Sequence, residues 1–189
     1  MEFFSAICLG IGLSAACGFR VFIPPFLLGL IIRTEWIDIQ TDMIWLGSTP
    51  ALVLMGTAAL VEIVAYYIPW LDNALDTLSM PMSILAGITM MAFSMEGYDP
   101  WLQWSLAVIG GGAVASTIQF FTSFLRLILT AMTAGLGNWI QSTVEAVTAL
   151  LMTLISIAVP IIGMILALIM LMIIFRRLWK KRVNHSHEN

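Results

Sequence analysis

The sequence predicts an all-α, polytopic transmembrane helical bundle of about six spans, some of them broken or re-entrant. Three observations carry that prediction. Hydrophobic residues make up 60% of the 189 residues and charged residues only 10%, with a mean hydropathy of +0.99. Soluble domains run to about 25% charged residues, so a chain this apolar must turn its outside to lipid. The few charges also cut the sequence into long silent intervals. Only Glu62 interrupts the run from Asp42 to Asp72, and no charge falls within 77–95, 100–125 or 146–175. Finally, most of the tryptophans, at 36, 45, 70, 101, 104, 139 and 179, stand at the expected span ends, as an aromatic belt requires.

A helix needs about 20 apolar residues to cross ~30 Å of hydrocarbon. Residues 3–32 and 102–133 are each near 45 Å as unbroken helix, so each must tilt, extend beyond the core or break. The first carries Pro24-Pro25 after Gly18, a pair that removes helical hydrogen bonds. Pro69 ends the next apolar run, and Pro160, with Gly163 behind it, divides residues 140–177. The spans expected are 4–32, 45–68, 78–95, 102–132, 139–158 and 161–178, all in one domain. The first stretch should persist, since Met1-Glu2-Phe3-Phe4 lacks the basic start of a signal peptide.

The halves 1–98 and 99–182 suggest an internal repeat, with Gly12–Ala16 on Gly111–Ala115 and Leu46-Gly47-Ser48 on Leu136-Gly137-Asn138. Three helices per half would make the halves inverted in the membrane, a frequent transporter plan. Arg176, Arg177, Lys180, Lys181 and Arg182 follow the last span, ahead of a polar tail at 183–189. Positive-inside places that end in the cytoplasm, and an even span count places both termini there. The loops at 34–43 and 96–101 then face outward.

Charges within the spans are the candidate site. An Arg at mid-bilayer costs about 2.5–3.5 kcal/mol on insertion scales, so Arg20, beside the proline break, needs a partner or a use. A guanidinium next to freed backbone can hold a carboxylate or an anionic headgroup, or form a structural ion pair with Glu62 or Glu145. Glu62 and Glu145 each lie in an uncharged run. Both suit proton coupling, but a hydrogen bond to Ser or Thr, or for Glu145 a capping box from Ser142, is the plainer alternative. Asp72 and Asp76 share a helix face after Pro69 and read as interface caps rather than a cation site. Gly10, Ser14 and Gly18, four apart, invite close helix approach, and Gly110-Gly111-Gly112 either packs or opens its helix.

Cys8 and Cys17 are roughly 13 Å apart on one helix and read as packing residues. His185 and His187 lie in the tail and make a weak metal pair. No hydrolase, zinc or P-loop motif is present, so neither enzyme, metal nor cofactor is expected. The expected partners are the bilayer, an anionic lipid or small solute, and a second copy of the chain, not nucleic acid.

Over nearly its whole length the chain resembles a bacterial membrane-protein family catalogued only as a domain of unknown function. The carriers are Gly12-Leu13-Ser14-Ala15-Ala16 with Gly18 and Arg20; Glu62, Ile68-Pro69, Asp72 and Asp76; then Gly110-Gly111-Gly112, Arg126, Gly137-Asn138-Trp139, Ser142 and Glu145. The resemblance adds Arg126, Asn138 and Ser142 as secondary candidates. The chain departs from the family pattern at Tyr66-Tyr67, where an Asp-Lys pair is usual, at Ala146, where an Asp is, and at Ile118–Thr122, where a His and a Lys are. Those departures weaken a proton-relay or metal role. Two functions remain: a small transporter or channel for an ion, solute or anionic lipid, or a non-transporting assembly subunit whose buried charges are structural.

Overall fold

The structure, a computed structural model, describes residues 2–34, 42–65, 69–133 and 135–185, apart from the side chains of 42, 69–76 and 178–185. All regular elements among them are helical. The long apolar start divides into α1 (Phe3–Cys17) and α2 (Ile23–Arg33). A 3₁₀ segment (Asp42–Gly47) leads into α3 (Thr49–Ala65), followed by α4 (Pro69–Ser94). Then come α5 (Pro100–Leu106), a π-helical segment (Ala107–Gly112) and α6 (Ala113–Thr133), and finally α7 (Asn138–Ala158) and α8 (Pro160–His185). Four described stretches are long and apolar enough to cross a membrane: Thr77–Ser94, Pro100–Thr133, Asn138–Ala158 and Pro160–Arg177. The chain is a helical membrane protein.

The prolines act where the sequence places them. Continuing α1 through Pro24 and Pro25 would need the amide hydrogens that proline lacks, and the rings would clash with the carbonyls of Arg20 and Val21. The helix therefore stops at Cys17 and restarts at Ile23, with the prolines in the first turn of α2, where no amide is required. At 15 and 11 residues, α1 and α2 are each too short to span alone. Pro160 separates α7 from α8 across Val159. Pro69 opens α4, nine residues ahead of the expected span start, and Pro81 lies inside that helix. Residues 66–68, at the expected end of the second span, fall outside the described residues.

The second long stretch does not break. Pro100–Thr133 runs on as one helical column, widened by the π segment that ends in Gly110-Gly111-Gly112. A π turn carries an extra residue without losing the helix. The triple glycine also packs, for a Cβ on Gly111 would sit 2.5 Å from the Gly87 carbonyl oxygen of α4. Ser14 joins the same contact by donating to that oxygen at 2.8 Å.

The core forms around α1, which is buried on nearly every side from Ala6 to Cys17 and packs against α4, α6, α7 and α8. An all-round buried helix has no amphipathic stripe to show, which is why its sequence is uniformly apolar. Gly12 meets Ser156 of α7 and Gly163 of α8, and Gly18 lies against Ala115 and Ile118 of α6. Small residues here replace the hydrophobic drive that lipid cannot supply. Cys8 and Cys17 are buried, unbridged packing residues, with the Cys8 thiol 3.5 Å from the Met164 sulfur.

Two local expectations are corrected. Ser142 and Glu145 lie more than a turn inside α7, whose first residue is Asn138, so they form no capping box. Asp72 and Asp76 fall after the first residue of α4, so neither is its N-cap; their side chains are outside the described set. α8 continues to His185, into the polar tail expected at 183–189, and residues 186–189 are outside the described set. Of the two outward-facing loops expected, 35–41 is undescribed. In the other, Asp99 caps α5 by accepting from the Trp101 and Leu102 amides at 2.9 and 3.3 Å, after a turn through Gly97 at φ +87°.

Candidate functional site

The break between α1 and α2 sets the site. Arg20 lies in it, fully buried. Its Nη2 donates to the Ser142 carbonyl at 2.9 Å and to the Ser142 hydroxyl at 2.6 Å, and stands 3.5 Å from Glu145 Oε2. The guanidinium thus crosses from the break to α7, where Ser142 and Glu145, three apart, share one face.

Arg126 of α6 reaches the same carboxylate, with its Nη2 on Glu145 Oε2. Two guanidiniums therefore converge on one buried oxygen. The other oxygen, Oε1, accepts from Gln141 Nε2 at 2.7 Å, and that amide also donates to the Thr122 carbonyl at 2.7 Å. The charged groups are taken out of water, since Arg20 is 0% exposed, Arg126 3% and Glu145 4%. A buried ion set of this kind holds only because partners replace the lost hydration.

Glu62 of α3 is held differently. Its two oxygens accept from the backbone amides of Val21 at 2.9 Å and Phe22 at 3.2 Å. In an unbroken helix those amides would donate to the carbonyls of Cys17 and Gly18 four residues back. The proline break releases them, and Glu62 takes them up just ahead of α2, where the helix dipole also favours an anion. The charges of Arg20 and Glu145 both act on Glu62. Two basic and two acidic side chains are thus buried among these helices.

Asn138 stands apart from this cluster. Its side-chain amide donates to Thr130 Oγ1 at 2.8 Å, tying the start of α7 to α6. Gln141 and Thr122 belong to the cluster although sequence reasoning does not single them out. The Gln141–Glu145 spacing of four is a legible signal, but an uncharged amide does not announce itself in an apolar run as a charge does.

Two cavities flank the centre. One, of ≈ 200 Å³, lies against Phe19, α6, α7 and α8, and includes Thr122, Gln141 and Glu145 in an otherwise apolar lining. The other, of ≈ 280 Å³, is almost wholly apolar and runs beside the break, along Val21, Phe22 and Pro25, to α3 and α4.

The family model for the domain of unknown function DUF4126 matches residues 7–180. The chain belongs to this family. The match takes in every element that builds the charged centre, and the family carries no assigned activity. No curated protein and no solved structure matches the chain.

Proposed function

We propose that this DUF4126 protein is a small transporter, not an enzyme, and that its translocated species is anionic: a small solute or the headgroup of an anionic lipid. The observation that carries the reading is the convergence of Arg20 and Arg126 on Glu145. One guanidinium is enough to pair Glu145, and Glu62, the second buried carboxylate, is already taken up by the Val21 and Phe22 amides. Keeping a second inside the bilayer costs several kcal/mol on insertion scales, which is sensible where the pair also receives an incoming anion. A guanidinium binds phosphate or carboxylate through a planar fork, and Glu145 is the resident anion that fills the site when it is empty. The broken α1–α2 segment beside it is the kind of irregular backbone that membrane proteins place only where it faces protein or a cavity.

The setting that goes with this reading is the bacterial inner membrane, with both termini cytoplasmic. The basic residues after the last span support that orientation.

Flux measurements in proteoliposomes test the function. Purified protein should carry a radiolabelled carboxylate or phosphate into vesicles above the rate of protein-free controls. Arg20→Lys keeps the charge and loses the fork, so its transport should fall by about tenfold or more, the factor expected for one charge-assisted hydrogen bond. Unchanged flux in Arg20→Ala would end the reading.

A second reading is supported by the complete burial of Arg20 and its hydrogen bonds to Ser142. In it the charges fix helix register within an assembly subunit, alone or as a homo-oligomer. The same vesicles would then show no flux, and the Arg20 variants would alter only stability or assembly.

A further inference from the structure

The ≈ 280 Å³ cleft beside the break offers a ligand almost nothing but hydrocarbon and thioether. Val21, Pro25, Leu46 and Met90 are buried along its floor. Leu54, Leu85 and Trp45 stand at its rim, 70%, 64% and 56% exposed. Among its described lining residues only Thr89 and Trp45 carry a side-chain O–H or N–H. The Thr89 hydroxyl is turned back to the Leu85 carbonyl of its own helix at 2.8 Å. The Val21 and Phe22 amides, which the break releases beside the cleft, are taken up by Glu62. A water needs two to four polar partners and a polar ligand needs some, and this lining does not supply them.

We infer that the cleft is a binding site for one acyl chain of a bilayer phospholipid, laid between α3 and α4 with its carbonyl end at Trp45 and its tip at Val21 and Phe22. The rim faces the hydrocarbon of the bilayer, so the medium itself supplies the occupant. Leu46 packs in one cluster with Met90, which fixes the Trp45 end of the cleft. From Met90 back to Met82 the α4 wall is ~12 Å long at 1.5 Å per residue. That is close to the ~15 Å of hydrocarbon that one leaflet contributes. Trp45 then meets the headgroup layer, where an indole is at home. Size admits a single chain, since ≈ 280 Å³ is about nine water-sized groups at ≈ 30 Å³ each. Apolar burial gains nothing over lipid, so the chain is retained by close packing against helices on several sides. The head is not selected by charge. Arg33, beside Gly47 near this mouth, donates from Nη1 to Thr49 Oγ1 at 2.9 Å. Glu35, Asp38 and Asp42 follow it in the same connection, so an anionic head gains no net attraction. The site does not depend on the transport reading, because a retained chain requires no flux.

Photolabelling of the full chain in phosphatidylcholine nanodiscs tests it. The probes are a phosphatidylcholine and a phosphatidylglycerol, each with a diazirine near the tip of one acyl chain. The reference is the exposed face of α8 at Ile169 and Ile173, the latter lining one cavity with Phe19 and so lying near the depth of the break. Mass spectrometry should find Phe22 and Met82 labelled about fivefold more than the reference by both probes, the factor that several added carbon–carbon contacts supply. Ala86→Phe, which fills the cleft, should remove that excess and leave the α8 labelling unchanged. Leu54→Trp, at the exposed rim, should do the same, and it keeps the test valid if Ala86→Phe fails to fold. Cleft labelling no higher than that of α8, as a second copy seated in the cleft would give, would overturn the proposal. So would an excess that survives Leu54→Trp, or one confined to phosphatidylglycerol.

Discussion

Glu62 and Glu145 are both carboxylates buried among apolar helices, at 6% and 4% exposure, yet the fold satisfies them by different means. Glu62 rests on two backbone amides that a proline pair has released. Glu145 rests on two guanidiniums and a side-chain amide drawn from three separate parts of the chain. The first is a helix end completed from a neighbouring helix, and a neutral acceptor could partly serve there. The second is a charge set, in which the carboxylate is the group that holds two cations together. The first arrangement should therefore tolerate loss of charge better than the second.

The widest separation should come from the same substitution made at both sites. Glu145→Gln leaves Arg20 and Arg126 side by side with no carboxylate between them, and should cost about 3–5 kcal/mol, the range for removing one partner of a buried ion set. Glu62→Gln keeps an oxygen for one of the two amides and should cost about 1 kcal/mol or less, the scale of a single hydrogen bond within a membrane. Unfolding of the two variants in mixed micelles measures both. Equal losses would dissolve the distinction.

A double-mutant cycle between Arg126→Met and Glu145→Leu should give a coupling energy of about 2 kcal/mol, within the range for residues in one ionic network. Coupling near zero would mean that Arg20 alone satisfies the carboxylate. Glu62→Ala, which orphans the Val21 and Phe22 amides together, should cost about 2 kcal/mol, and hydrogen exchange at those two amides should rise with it. The smallest change is Ser142→Ala. It removes the 2.6 Å bond to Arg20 but leaves the 2.9 Å bond to the Ser142 carbonyl, so the loss should stay near 1 kcal/mol. A larger loss would make the serine hydroxyl, rather than the backbone, the anchor of Arg20.

Much of this centre is legible in the amino-acid sequence. Arg20, Glu62 and Glu145 stand out because charge is rare in spans, and all three are buried close to one another. Ser142 and Arg126 enter through the family resemblance, and both contact the same cluster. Asn138, which enters in the same way, instead joins the ends of α6 and α7. The triple glycine leaves two outcomes open, and the chain uses both, widening into a π turn and packing against Gly87.

By itself the sequence determined the membrane class, the break between Gly18 and Pro25, and which side chains had to be buried with partners. These follow from local chemistry: apolar length, the missing amide of proline, and the cost of charge in hydrocarbon. Tertiary structure alone decided who partners whom. That Glu62 takes the freed amides while Glu145 gathers both arginines depends on which faces of α3, α6 and α7 meet the break. In lipid no hydrophobic stripe marks those faces, and they are chosen by close packing of small residues such as Gly12, Gly18 and Gly87 across distant parts of the chain.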